Sequence, residues 1–151
     1  MSQSRKILKE LGAVVLTNTN IKTGSTSAVT PKATPAPTSL ADAAVTLTVA
    51  QLQTGILTMT PTAGRNVTLP TAANMAAVLT TVGDTLDFNV INLGADTVHL
   101  TVVSPSTAII GAAVVRDADP TADAASGSAV FRVRMTNVGS GTEAYSTYRL
   151  A

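Results

Sequence analysis

The residue types that usually perform chemistry are scarce in this sequence. It has one histidine and no cysteine, which excludes disulfides and thiolate metal sites and fits assembly in a reducing cytoplasm. His99 alternates with Val98 and Leu100 in the stretch TVHLTV, a position typical of a strand residue at a surface or an interface. Serine and threonine are plentiful, but a nucleophilic hydroxyl needs a base oriented by an acid, and no His–acid pair is available. We therefore predict no enzyme activity, no catalytic residue, no cofactor and no small-molecule substrate.

Three aspartates fall in one loop-like stretch, RDADPTADAASGS, at positions 117, 119 and 123. Clustered carboxylates can bind Ca²⁺ through their oxygens. An EF-hand loop that began at Asp117 would need glycine at its sixth position and glutamate at its twelfth, but Ala122 and Ser128 stand there. We interpret this stretch as a solvated acidic loop and predict no metal site.

Charge is distributed unevenly along the 151 residues. Residues 1–38 contain five basic residues and one acidic residue, a net charge of +4, whereas residues 39–151 have a net charge of −3. A basic arm on a mildly acidic body suggests that the arm docks on something acidic. The arm lacks the interleaved aromatic residues of a nucleic-acid surface, so we predict no nucleic-acid partner. No apolar run is long enough for a membrane span, and Lys9 and Glu10 interrupt the pattern that a secretion signal would need.

Residues 1–41 are predicted to form this extended N-terminal arm. Near its start, the stretch RKILKEL combines basic and apolar residues, and we expect this tip to bind a partner. After the tip come residues 22–41, which are rich in Thr, Ser and Pro and have no helix or strand period. Prolines favour extended backbone of about 3 Å per residue, so the arm is long enough to reach a neighbouring molecule; a floppy terminus is the alternative. The predicted contact residues are Arg5, Lys6, Ile7, Leu8, Lys9 and Leu11.

Residues 42–151 show the alternation of apolar and polar residues that is typical of β-strands. About eight short strands are predicted, with one helix over 71–82 that begins after Thr71 and ends at Gly83. Met75, Val78 and Leu79 would form its buried stripe, closing one end of the sheets. This pattern predicts an all-β sandwich or barrel. The strands are predicted at 45–49, 55–61, 65–70, 84–93, 97–104, 107–115 (one strand or a pair), 129–138 and 144–150.

The stretch AVFRVRMTNV (129–138) alternates most regularly. Its pattern places Phe131 on one face of the strand, and Arg132 and Arg134 on the other. Two readings are open for these arginines. They are matched by acidic residues across the sheet, or they line a contact between subunits, where arginine is enriched.

Three stretches of the body resemble short virion proteins of tailed bacteriophages. They are LTVAQLQTGILTMTPTAGRNVTLPTAANM, VGDTLDFNVINLGADTVHLTV and FRVRMTNVGSGTEAYSTYRL. The resemblance covers residues 45–151. It implies a β-barrel or jelly-roll body, commonly trimeric, that decorates or cements a capsid in the virion after assembly in the host cytoplasm.

In that setting the major capsid protein and other copies of the chain are the expected partners. The arm would cross neighbouring capsid subunits, and a trimer would gain affinity by presenting three arms. Tyr145 and Tyr148 are expected to join Arg132 and Arg134 at the subunit interface, since tyrosine offers rigid, amphipathic contact area. A head-fibre or tail-fibre module is the alternative role.

Overall fold

The computed structural model describes residues 35–95, 98–116 and 127–151. Within these residues the chain forms ten strands and two short helices. The strands are β1 (Thr38–Ser39), β2 (Val45–Thr46), β3 (Ile56–Met59), β4 (Arg65–Thr68), β5 (Thr85–Asn92), β6 (Leu100–Val103), β7 (Ile109–Ile110), β8 (Val114–Val115), β9 (Ser128–Asn137) and β10 (Ala144–Arg149). The helices are α1 (Val49–Gln53) and α2 (Ala72–Ala76). The predicted all-β class is confirmed in a coarser form, as mixed sheets with two short helices.

The strands form two sheets, and the chain crosses from one to the other at almost every step. The first sheet has the order β1-β3-β5-β9-β10-β7, and the second has the order β2-β4-β6-β8. β1, β3 and β5 are parallel neighbours, as are β2, β4 and β6. The first six strands therefore wind as a two-sheet coil in which each turn adds one strand to each sheet. The antiparallel pair β9 and β10 then widens the first sheet, and β8 runs antiparallel to β6.

The coil contains a short unit that begins at β2. The strand is followed by Leu47, which is 2 % exposed, and then by Thr48, whose hydroxyl accepts a hydrogen bond from the backbone of Gln51 at 3.2 Å. The side chain of Gln51 accepts a bond from the Thr48 backbone in return, so the two residues form a capping box that starts α1. Leu52 of this helix is fully buried. The unit ends at Gly55, whose φ of 77° favours glycine.

A second unit of the same design begins at β4. The strand is followed by the fully buried Leu69, and Thr71 caps α2 by accepting a bond from the backbone of Asn74 at 3.4 Å. Met75 is the buried residue of this helix, at the position that corresponds to the buried leucine of α1. Gly83, with φ of 98°, precedes β5. Strand, buried leucine, threonine cap, short helix and glycine therefore occur twice in the same order.

The single helix predicted over 71–82 is shorter than expected. α2 ends at Ala76, and Thr81 donates its backbone N–H to the carboxylate of Asp84 at 3.0 Å. The adjacent β-branched Thr80 and Thr81 disfavour helix, and this side-chain bond stabilises a turn instead. Met75 and Leu79 are buried as expected, but Val78 is 44 % exposed.

A second helix, α1, was not predicted. Its first residue, Val49, was expected to be the last residue of a strand over 45–49, but the strand β2 ends at Thr46. The stretch VTLTV alternates like a strand, yet the capping box of Thr48 and Gln51 starts a helix directly after Leu47.

The core lies between the two sheets. Phe88 of β5 and Phe131 of β9 are directly opposite each other, with stacked rings whose centroids are 5.6 Å apart. Tyr145 of β10 is fully buried and donates its hydroxyl to the carbonyl oxygen of Pro70 at 2.8 Å. This bond ties the first sheet to the segment that starts α2.

Candidate interaction surface

The six-stranded sheet has one face towards the core and one face directed away from it, which we call the outer face. Along β9 the burial alternates with period two, so that Phe131, Val133 and Met135 face the core. The outer face of β9 consequently presents Val130, Arg132, Arg134 and Thr136. The register of the neighbouring strands extends this face across the whole sheet.

Large apolar side chains are concentrated on the outer face. Seven large apolar residues are exposed among the residues that the structure describes, and alternation along the strands places four of them on this face. Between them lie the partly buried Ile91, Val130 and Tyr148. An outward sheet face in contact with water is normally polar, so this one is suited to a contact with another protein surface. The four residues are Ile56, Leu93, Ile110 and Leu150, which are 39 %, 55 %, 54 % and 50 % exposed.

Backbone pairing makes the apolar residues of the outer face neighbours. Ile56 is opposite Asn89, and Asn89 is opposite Val130. Leu150 donates its backbone N–H to the carbonyl of Val130 at 2.8 Å. These residues therefore form one row across four strands. The side-chain oxygen of Asn89 is buried in this row and has no hydrogen-bond partner among the described residues.

One ion pair lies in the middle of the outer face. Asp87 of β5 is directly opposite Arg132 of β9, and two hydrogen bonds of 2.7 Å join the guanidinium to the two carboxylate oxygens. Hydrogen bonding from Arg132 holds the pKa of the Asp87 carboxyl below its usual range. The prediction that an acidic residue matches this arginine across the sheet is confirmed.

Arg134, two residues further along β9, has different surroundings. It is exposed and is opposite Thr85 and Ser146. No carboxylate in the described part of the chain forms an ion pair with it. The outer face therefore presents one neutralised arginine and one arginine that is available to a partner's acidic group.

The two tyrosines predicted for a subunit interface lie on opposite sides of β10. Tyr148 is partly buried on the outer face, opposite Arg132 and Ile110. Tyr145 is fully buried in the core, so its side chain is not available to a contact surface. Burial raises the pKa of the Tyr145 phenol.

A second polar cluster joins successive turns of the coil. Asp42, between β1 and β2, accepts hydrogen bonds from Arg65 at 2.7 Å and from the hydroxyl of Thr62 at 2.6 Å. These bonds, led by the bond from Arg65, lower the pKa of Asp42 from 3.8 to about 2. The side chains of Asp42 and Arg65 are partly exposed, and we assign the cluster to the stability of the loops.

The remaining residues considered in the sequence have no place in this surface. The six arm residues, Arg5 to Leu11, and the three aspartates, Asp117, Asp119 and Asp123, lie outside the described residues. His99 is partly buried, and its carbonyl oxygen accepts a bond from the backbone of Arg65 at 3.1 Å. In residues 35–95, 98–116 and 127–151, no three His, Cys, Asp or Glu side chains are grouped so as to hold a metal ion.

Sequence reasoning missed the acidic partner Asp87 and the apolar part of the outer face, including Ile56, Ile110 and Leu150. Period-two alternation could have placed Val130 on the same face as Arg132 and Arg134, because the three residues are two positions apart along β9. The other positions depend on which strands are neighbours, and that information is not local.

No helix in the described parts of the chain is both long and apolar enough to span a membrane. Comparison with family models, with curated proteins and with solved structures finds no match for this chain.

Proposed function

We propose that this chain is a structural virion protein that binds the outer surface of a phage capsid as a trimer and cements neighbouring capsid subunits. The major capsid protein and further copies of the chain are its partners in this proposal. The virion, after assembly in the host cytoplasm, is its location. It acts without catalysis, by bridging subunits so that the shell resists internal pressure.

The observation that supports this proposal best is the apolar outer face. Ile56, Val130 and Leu150 lie in one row, and the central charge of Arg132 is neutralised by Asp87. Covering such a face removes apolar area from water, with about 25 cal/mol gained per Å², and Arg134 then needs an acidic group of the partner. A self-associating structural protein needs a surface of this kind, so we assign the outer face, with Arg132, Arg134 and Tyr148, to the contact between copies.

The finer description of the body is also a proposal. The resemblance implies a barrel or jelly roll, which are antiparallel architectures. In the described body, the core side chains of both sheets face each other, and parallel ladders occur among the first six strands. We propose a barrel-like body that combines a parallel coil with an antiparallel cap.

The tip of the arm is assigned to the capsid surface. Its charges, Arg5, Lys6 and Lys9, would meet acidic groups of the capsid, and its apolar residues, Ile7, Leu8 and Leu11, would be covered there. Binding that includes exposed charge pairs weakens with salt, because the Debye length falls to about 8 Å at physiological ionic strength.

The test compares two full-length variants with the same change in charge. Arg5→Glu/Lys6→Glu reverses charge in the tip, whereas Lys22→Glu/Lys32→Glu reverses it in the later part of the arm. Binding to capsids that lack the chain is measured at low and high salt. We expect the tip variant to lose affinity, with the largest loss at low salt, and the control to bind nearly as the unchanged chain. Equal affinity of the tip variant and the unchanged chain at every salt concentration would overturn the assignment.

A further inference from the structure

The unit found twice in the coil has a third counterpart in the sequence before β1. The stretch VVLTNTNIKTG (14–24) aligns without a gap with VTLTVAQLQTG (45–55), which contains β2, α1 and the glycine that ends the unit. Residues 14–24 lie outside the described residues, and the correspondence is one of sequence alone.

The match falls on the positions that hold the described unit together. In 45–55 these are the buried leucine after the strand, the capping threonine, the buried residue of the helix and the glycine of positive φ. Asn20 also stands where Gln51 completes the capping box. The corresponding pairs are Leu16 and Leu47, Thr17 and Thr48, Ile21 and Leu52, and Gly24 and Gly55.

A single unit of this kind cannot bury its own apolar residues. In the coil, Leu47 and Leu52 are at most 2 % exposed, and the helix α1 contacts β3 and also β5 of the next turn. A helix of five residues is also unstable alone. Repeated units are stable when they stack on one another, so residues 14–24 need an end of a coil on which to dock.

The described coil offers one such end, at β2. Among the described strands, β6 at the far end of the parallel ladder is covered by β8, whereas β2 is the edge strand. Leu47 donates its backbone N–H to Thr68 of β4. Since successive residues of a strand direct their backbone groups to opposite sides, the N–H and carbonyl of Thr46 point away from β4 and can pair with a further parallel strand.

We propose that residues 14–24 of one chain dock on the β2 edge of a second copy. Val15 would then lie opposite Thr46, in the register that Thr46 has with Thr68. This inference does not depend on a capsid role, since both partners are copies of this chain.

The spacing of the sequence favours a second copy over the same chain. In the described units, the glycine is followed by the next strand within two residues, as with Gly55 and β3 or Gly83 and β5. Between Gly24 and β1 there are thirteen residues, with prolines at 31, 35 and 37. Such a segment extends to about 40 Å at roughly 3 Å per residue, which is enough to reach a neighbour.

Disulfide trapping in the full-length chain tests the proposal, because the natural sequence has no cysteine. Neighbouring strands are about 4.8 Å apart, within the Cα separation that a disulfide accepts. One variant has Val15→Cys and a second has Thr46→Cys. The two are mixed and oxidised mildly, and the linked peptides are identified by mass spectrometry. The matched control is a Thr142→Cys chain, whose cysteine lies in the exposed turn between β9 and β10. In the control mixture, this chain takes the place of the Thr46→Cys chain.

A 15–46 disulfide that predominates over the 15–142 disulfide in these mixtures is the expected result. A third variant has both Val15→Cys and Thr46→Cys in one chain. If the link forms only in this double variant, the segment docks on its own coil and the proposed docking between copies is wrong. If no selective link forms in either case, the docking itself is wrong.

A second pair of variants separates docking from chance proximity. Each second substitution is made in the Val15→Cys chain. Ile21→Asn replaces the residue that corresponds to the buried Leu52, whereas Thr19→Asn replaces the residue that corresponds to the exposed Ala50. We expect loss of the 15–46 link with Ile21→Asn and its retention with Thr19→Asn. Equal linking by both variants would contradict the stacked unit.

Discussion

Asp87 and Arg132 are joined by two hydrogen bonds of 2.7 Å on a sheet face that also carries a row of apolar side chains. Both side chains are close to half exposed in the single chain. An exposed ion pair of this kind contributes little to stability. If a second copy covers the outer face, the same pair becomes desolvated, and its loss then affects association far more than folding.

The first prediction compares the two arginines of this face. Arg132→Met leaves Asp87 without its partner, whereas Arg134→Met removes an arginine that forms no ion pair within the described residues. We expect Arg132→Met to raise the dissociation constant for self-association at least about tenfold, because a covered carboxylate without a partner is costly. Analytical ultracentrifugation over a range of concentrations measures this constant. Equal effects of the two substitutions would argue against a covered Asp87–Arg132 pair.

The apolar row gives a second prediction. Val130→Lys places a charge in the row that includes Ile56 and Leu150, and Ser140→Lys places the same charge in the exposed turn between β9 and β10, away from the outer face. We expect Val130→Lys to abolish self-association and Ser140→Lys to leave it unchanged, since burial of an unpaired charge is costly. The free energy of unfolding of the Ser140→Lys chain should stay within about 0.5 kcal/mol of the unchanged chain. Light scattering after size-exclusion chromatography gives the oligomeric mass, and an unchanged mass for Val130→Lys would exclude this face as the contact.

The two tyrosines of β10 provide a matched pair for stability. Tyr145→Phe removes the bond to the carbonyl of Pro70 inside the core, and Tyr148→Phe removes a hydroxyl on the outer face. We expect Tyr145→Phe to lower the free energy of unfolding by about 1–3 kcal/mol, because a buried carbonyl loses its donor. Tyr148→Phe should have almost no effect. Urea unfolding followed by circular dichroism measures both values, and a reversed order would place Tyr148 in the core instead.

The Asp42 cluster predicts a dependence on acid pH. The carboxyl of Asp42 has a pKa of about 2 in the folded chain and 3.8 as its reference value. A carboxyl whose pKa is lowered by folding stabilises the fold at pH values above its pKa in the unfolded chain. This contribution is lost as the pH falls from 3.8 through about 2. Carbon-detected NMR titration of the Asp42 carboxyl measures the folded pKa. Arg65→Gln should return it towards 3.8, and an Asp42 that titrates normally in the unchanged chain would contradict the two hydrogen bonds.

Much of the strand pattern could be predicted from local alternation. In β9 the sequence places Phe131 and Arg132 on opposite faces, and the structure confirms this. The odd separation of Tyr145 and Tyr148 in one strand also predicts opposite faces, so both could not serve the same interface. The capping-box residues Thr48 and Gln51 were a readable sign of α1, but the alternation of VTLTV favoured a strand.

The order of the strands could not be read from the sequence. Leu57 pairs with Val90 in a parallel ladder, and the two are separated by a complete turn of the coil. Parallel neighbours of this kind leave no local turn signal, unlike a hairpin. For the same reason the row that joins Ile56, Val130 and Leu150 becomes visible only after the strands are placed side by side.

The measurement that tests the proposed virion role most directly is the number of copies of this chain per purified particle of the phage in which we propose that it acts. Quantitative mass spectrometry against the major capsid protein gives that number. The proposed cementing role predicts a fixed ratio to the capsid protein over the whole shell, with hundreds of copies per particle. A dozen or a few dozen copies would indicate a fibre or vertex protein instead. Absence from the particle would contradict the virion role altogether.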